Sequence, residues 1–247
     1  MEPSDISLIA QTISNNSQIT YTTMTVYYDH KKIHRKIGVA DQVTIPLNGT
    51  DYAFDVIGFN HDDIASGYYY DTNTVSTQAI AESNTSAGKA GITFQMHDCF
   101  ATTYVMNSSH TNSGGWKSSV MRTSTMATMK GYLPTAWQTA IKPVNKASGT
   151  GGGSSSGTET ASDSCFLLAE IEIFGSTIYS VSGEGTQYAY YKAGNSRVKN
   201  RSGTAYGWWE RSPRSGSSNT FCMAFSGGSA NGDGAAYSRG VAFGFCV

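Results

Sequence analysis

Apolar and polar positions alternate from Val43: Val43, Ile45 and Leu47 alternate, Asn48-Gly49 follows, and Tyr52, Phe54 and Val56 alternate again. Alternation puts one set of side chains on one face, and Asn-Gly accepts the positive φ of a tight turn, so this stretch predicts a β-hairpin. Pro46 has no N–H to donate, which places its strand at a sheet edge. Ile92, Phe94 and Met96 predict another strand. The period then lengthens. Trp116, Val120, Met121, Met126 and Ala127 form a rough helical stripe that ends near Gly131. Pro134 suits the first turn of a second helix, with Trp137, Ala140 and Ile141 on one face, and Pro143 stops it. The Met and Trp stripe reads as core rather than as a cofactor box.

Two polar stretches interrupt this pattern. Residues 1–40 are rich in Ser, Thr and Asn without clear periodicity, and read as an N-terminal extension or attachment segment. The compact domain is expected over residues 41–247. Residues 147–163 have a linker's composition, but the apolar run after them, Phe166 to Gly175, cannot stand alone. The stretch is therefore expected to be a long exposed loop within one domain. Residues 184–200, with Tyr188, Tyr190, Tyr191, Val198 and Lys199, read as a short helix or turn-rich arm. Three C-terminal strands follow at 208–213, 220–226 and 240–247. In the last, Val241, Phe243, Phe245 and Val247 alternate with small residues.

Composition narrows the function classes. The net charge is -1 and 14% of residues are charged, which gives no footprint for nucleic acid or an acidic membrane. The basic run His30 to Lys36 reads as a solvated face; the His30/His34 spacing suits a metal pair on a helix but lacks an acidic or Cys partner. The 15 Tyr and 27 Gly, with abundant Ser and Asn, match adaptable binding surfaces. No signal peptide and no apolar span are expected, so the chain is expected to be made in a cytoplasm without membrane insertion. Cys99, Cys165, Cys222 and Cys246 lack the CxxC spacing of a zinc site and are expected as buried free thiols; Cys222 and Cys246 could face each other on neighbouring strands. Asn231-Gly232-Asp233-Gly234 has calcium-like residue types but too few ligands in register. No nucleophile elbow, Walker loop or HExxH motif is present, and no metal or cofactor is expected.

The most informative segment is Gly207-Trp208-Trp209-Glu210-Arg211-Ser212-Pro213, a Gly/Ser/Asn-rich run, and then Gly240-Val241-Ala242-Phe243-Gly244-Phe245-Cys246-Val247. It resembles the C-terminal half of C-type-lectin-fold domains of bacterial and phage proteins, and the likeness extends over about residues 40–247 through Leu167, Leu168, Glu170 and Ile171. The resemblance implies an α+β, C-type-lectin-like fold with antiparallel strands, two helices and long loops. A subset of that family consists of variable proteins of diversity-generating retroelements, in which errors at template adenines rewrite the end of the gene. Asn codons rewritten in this way cannot become Lys, Gln, Glu, Met or Trp. Residues 215–239 contain no Lys, Gln, Glu or Trp; Met223 departs, so that position is either fixed or differently templated.

The resemblance implies a variable region over about residues 206–247. Its ligand-binding positions are Ser217, Asn219, Met223, Phe225, Gly227, Ser229, Asn231, Gly232, Asp233, Gly234, Ala236, Tyr237 and Arg239. Ser226, Gly228, Ala230, Ala235 and Ser238 read as interleaved scaffold, with Trp208, Trp209 and Arg211 in support. Of the two tryptophans, one is expected in the core and the other is free to floor the binding surface. Glu210, Arg211 and Arg214 are expected to form a structural ion pair rather than a catalytic group. The expected function is a receptor-binding protein, not an enzyme, on a phage tail or bacterial surface, with a protein or glycan partner and scope for homo-oligomers. Two alternatives stand beside it: a non-diversified surface module of the same fold, and an oxidoreductase of the formylglycine-generating type that would use Cys222 and Cys246.

Overall fold

The computed structural model describes residues 2–14, 24–28, 33–66 and 88–247. The architecture is mixed α+β, with mostly antiparallel strands and few helices. Strands β3 (Gln42–Leu47) and β4 (Thr50–Phe59) form the predicted hairpin, and its turn has Asn48 at φ 48 and Gly49 at φ 82, the all-positive geometry that Asn-Gly favours. They join β5 (Ile92–Met96), β8 (Cys165–Phe166) and β14 (Gly244–Cys246) in a five-stranded sheet of order β3-β4-β5-β14-β8. Pro46 lies on the edge strand β3, where its missing donor breaks no inner ladder.

Strands β5 and β14 are buried on both faces. The alternation of Val241, Phe243, Phe245 and Val247 with small residues is therefore not an inside–outside pattern. Large side chains fill one layer, while small ones allow close approach on the other: a Cβ on Gly244 would lie 2.7 Å from the Phe94 carbonyl oxygen. Of the predicted strand over 240–247, only Gly244–Cys246 makes regular pairs.

The helical stripe divides into α2 (Gly115–Ser118), a π-helical turn at Met121–Thr125, and α3 (Met126–Tyr132). Helix α4 (Thr135–Ala140) follows Pro134. Trp116, Met121, Met126, Met129 and Trp137 are buried, whereas Val120 is exposed. Helices α5 (Glu170–Phe174) and α6 (Ala189–Lys192) come later, so the described residues hold six α-helical segments rather than two. After α6, β9 (Lys199–Arg201) and β10 (Thr204–Tyr206) pair as a short hairpin.

Two sequence expectations change here. The N-terminal segment contains α1 (Pro3–Ser14), whose Ile6, Ile9, Ala10 and Ile13 are buried in the common core. These residues have the i, i+3, i+4, i+7 spacing of a helix face. Gly91 lets α1 come close, since a Cβ there would meet the Ala10 carbonyl oxygen at 1.8 Å. Strands β1 (Met24–Tyr28) and β2 (Ile33–Ile37) pair as a hairpin. His34 is thus on a strand rather than a helix, and His30 lies outside the described residues.

The linker-like stretch is also different. Strand β6 (Val144–Gly149) pairs along its length with β7 (Thr158–Asp163), and Lys146, Ser148, Ala161 and Asp163 are buried. Arg122 and the Trp116 indole N–H both donate to Asp163, at 2.6 and 2.7 Å. Partners from distant segments let these polar residues face inward.

Candidate functional site

The C-terminal sheet consists of β11 (Trp208–Pro213), β12 (Thr220–Ala224) and β13 (Ala230–Gly234), with β12 in the middle. Every residue of β11 is buried, as are Phe221, Cys222, Met223 and Ala224 of β12. Beyond Ala224 the chain emerges. Positions 225, 227, 229 and 231 are exposed and positions 226, 228 and 230 are partly covered, a strict period of two. Gly228 turns this tip at φ 82, and its amide donates to the Phe225 carbonyl at 2.8 Å. A side chain here would meet Val198 at 3.3 Å. Position 228 is therefore constrained by conformation and space, whereas a Cβ at position 227 would have no atom within 4 Å.

Phe225 is 48% exposed and Tyr237 54%. Tyr237 packs edge-on against His110, with ring centroids 4.8 Å apart. Arg239 pairs with Asp233. Ser229, Asn231 and Asn219 are exposed; Ser217, Gly232, Asp233, Gly234, Ala236 and Arg239 are partly covered. Ala235 is fully buried, and its carbonyl accepts the amides of Met106 and Asn107. Ser238 is exposed rather than scaffold.

Met223 is a correction among the thirteen expected binding positions. It is 3% exposed, and its Cε fills the space beside Gly207, where a Cβ would lie 2.3 Å away. Its side chain thus packs against β11 in the interior rather than standing on the exposed face. Both tryptophans are fully buried, so neither floors the exposed face. Trp208 Nε1 donates to the Arg197 carbonyl at 3.0 Å and Trp209 Nε1 to the Tyr104 carbonyl at 2.9 Å. These bonds tie β11 to two loops and satisfy the indole donors.

Arg211 does not pair with Glu210. Its guanidinium forks onto the Glu172 carboxylate at 2.5 and 2.9 Å and donates to the carbonyls of Ala147, Leu167 and Glu184. Glu172 in turn accepts from Lys146 Nζ at 2.8 Å, and Lys146 reaches Asp62 at 2.6 Å and the Tyr188 hydroxyl at 3.0 Å. Tyr188 donates to Asp62 at 2.9 Å. Burial alone would raise the carboxyls of Asp62 and Glu172. Lys146 with His61 outweighs it at Asp62, and Arg211 with Lys146 outweighs it at Glu172, so both lie below their ordinary values. Burial would likewise deprotonate Lys146, but Asp62 and Glu172 hold its pKa above the usual amine value. Arg214 lies over the Tyr179 ring at 4.4 Å instead of joining an ion pair.

This network was not anticipated. Its members come from the β4–β5 connection, β6, α5 and β11, and the one sequence sign was charge inside apolar runs: Glu172 between Ile171 and Ile173, and Arg211 beside the tryptophans. A cleft of about 300 Å³ opens over it, lined by His61, Asp63, Lys89, Thr160 and Thr186 among others. The ionic groups on its floor are bonded to one another, which fits a structural brace better than a ligand trap.

The cysteines are buried and unpaired. Cys222 is on β12 and Cys246 on β14, in different sheets, and Cys246 Sγ lies 3.4 Å from Thr93 Oγ1 and from Asp62. Burial pushes Cys99 and Cys165 up to about 12 and raises Cys222 and Cys246 well above the usual thiol value, so none is poised as a thiolate. No helix among the described residues is long and apolar enough to cross a membrane.

A family model for a domain of unknown function, DUF6273, matches residues 90–247, and the chain belongs to that family. The matched residues include the whole buried network except Asp62, and all of the C-terminal sheet. No curated protein and no solved structure matches the chain.

Proposed function

We propose that this chain is a receptor-binding protein of the C-type-lectin-like class, diversified by a retroelement and displayed on a phage tail or bacterial surface. It grips a protein or glycan receptor through the side chains of residues 217–239 other than the buried ones. The observation that carries the reading is the two-residue rhythm of exposure over 225–231, which coincides with the division into changeable and scaffold positions that the resemblance implies. Phe225 and Tyr237 are large, stiff aromatics of the kind that carry binding energy, and they stand exposed in the turns that follow β12 and β13. A surface of this kind accepts substitutions without disturbing the core that holds it. The cysteine-pair oxidoreductase loses support, because its two thiols belong to different sheets.

The test is genetic. The expected result is a reverse-transcriptase gene beside this one, together with an adenine-rich near-copy of the gene's 3′ end. Clonal siblings should differ at 225, 227, 229, 231 and 237 but keep Met223, Ala235 and Trp209. Siblings that differ evenly along the chain, with no template copy nearby, would leave the non-diversified surface module as the reading.

A further inference from the structure

Glu210 stands apart from the other buried carboxylates. It lies in β11 with no exposed surface, and neither of its oxygens has a hydrogen-bond partner. An unpaired buried carboxylate is strongly unfavourable, and its neighbourhood makes the problem worse. Glu170, at the start of α5, and Cys222, on β12, are also fully buried, and one donor-type atom from each of the three lies within 4.8 Å of the others.

The two glutamates are not equivalent. Glu170 Oε2 accepts the amides of Ile178, Tyr179 and Ser180 and the Ser180 hydroxyl, at 2.7 to 2.9 Å. Its Oε1 accepts a single shared amide, from Tyr179 at 3.0 Å, so it retains a free lone pair. Both oxygens of Glu210 are free. The three side chains therefore offer one oxygen, a carboxylate able to bind through one or both oxygens, and one sulfur.

We propose that Glu170, Glu210 and Cys222 hold one divalent transition-metal ion, Zn²⁺ or an ion of similar chemistry, which staples the C-terminal sheet to helix α5. Oxygen and thiolate donors suit Zn²⁺, whose filled d shell imposes no geometry of its own and which is usually held by four donors in a tetrahedron. Two-oxygen binding by Glu210, or one water, completes four coordination. On binding, the Cys222 S–H bond is replaced by a sulfur–metal bond, the thiol proton and any proton on Glu210 leave to solvent, and no oxidation state changes. Because all three donors are buried, the ion enters as the chain folds. The three donors come from separate elements, which is why no CxxC-type spacing announces them.

The site is independent of whatever the exposed face binds, and its test does not involve a receptor. The full chain, purified without metal-affinity steps from cells supplied with Zn²⁺, is analysed for bound metals, then unfolded with chelator and refolded with Zn²⁺, with Co²⁺, or with neither. The expected results are one metal per chain, a thiolate-to-cobalt absorption band that disappears in Cys222→Ser, and a thermal midpoint that rises with metal during refolding. Glu210→Gln should lose the metal and its stabilisation. The opposing arrangement is a neutral Glu210 that shares a proton with Glu170. It predicts a metal-free native chain whose midpoint is indifferent to Zn²⁺, and a Glu210→Gln variant as stable as the parent; that set of results would overturn the proposal.

Discussion

Residues 225–231 and the Asp62–Lys146–Glu172–Arg211 network both depend on the C-terminal sheet, yet their side chains live under different constraints. At the tip, every second side chain points to water, and position 227 has nothing near it. In the network, Arg211 spends all its donors on fixed acceptors and Glu172 answers two cations. The difference shows what a changeable surface requires. On the proposed reading, side chains at the tip can vary because the strand beneath is held by groups that cannot. A buried ion pair contributes little net stability over an apolar replacement of the whole set, but removing one partner strands the other in low dielectric.

The largest effect should therefore come from Arg211→Met. It leaves Glu172 with one cation and several carbonyls without donors, and should cost about 3–5 kcal/mol. Urea denaturation measures this, and a double-mutant cycle with Glu172→Gln should show strong coupling. A cost below about 1 kcal/mol would place Arg211 with the surface residues and dissolve the contrast.

Lys146→Met should cost on the order of 3 kcal/mol near neutral pH, and its effect should depend on pH in a defined direction. Asp62 and Glu172 have lowered carboxyl pKa values in the folded chain. The stability they contribute is complete above the unfolded carboxylate range, about pH 4, and is lost as pH falls through the folded values, because the unfolded chain then binds more protons. Without Lys146 both carboxyls lose their main or shared cation, and burial raises them. The gap between parent and variant should be widest near pH 7 and shrink below about pH 4. A gap independent of pH would mean that Lys146 acts through packing against Phe166, which it approaches at 4.2 Å.

Glycines divide the changeable region more finely. A Cβ on Gly232 would lie 2.9 Å from Thr220 Cγ2 and 3.2 Å from the Phe221 carbonyl, so backbone as well as side chain resists it. Gly232→Val should cost about 1–3 kcal/mol, the range for overpacking. Gly234→Ser presses on the His110 ring, which would lie 2.7 Å from the new Cβ, and that exposed ring can move aside. It should cost less than Gly232→Val, and Gly227→Ser should change stability by no more than about 0.5 kcal/mol. Thermal midpoints of the three variants rank them, and any other order would redraw the boundary between changeable and fixed positions.

The sequence made the local rules legible and hid the long-range ones. Asn48-Gly49 between alternating strands, Pro46 at an edge and Pro134 before a helix each act through their own backbone, and the fold obeys them. Ile6, Ile9, Ala10 and Ile13 carried a helix signal that the surrounding Ser and Asn obscured. Residues 152–158 are largely exposed as their Gly/Ser-rich composition implies, but the ends of the 147–163 stretch misled, because such a composition signals exposure only when polar groups have no buried partners. Ser148 and Asp163 have them, supplied by the Arg211 carbonyl and by Arg122 and Trp116. The same limit applies to the candidate site. The exposed rhythm of 225–231 could be read from one segment, whereas Glu210, Glu170 and Cys222 meet only through tertiary structure. At Met223 only the structure shows that the side chain is packed inside, beside Gly207.

The smallest stability change should accompany the largest functional one. Phe225→Ala and Tyr237→Ala remove side chains that are about half exposed, so each should shift folding stability by about 0.5 kcal/mol or less. Tyr237 also gives up its edge contact with His110, which places it at the upper end of that range. If the face grips a receptor, the double variant should lose at least about tenfold in cell adsorption, equivalent to about 1.4 kcal/mol, with the far-ultraviolet spectrum and urea midpoint unchanged. Substituting exposed positions away from the tip, such as Lys117 or Ile178, should leave adsorption intact and serves as the control. Equal adsorption by parent and double variant would move binding away from this face. A large fall in folding stability would show instead that the tip is part of the scaffold, and the division between changeable surface and fixed support would have to be drawn elsewhere.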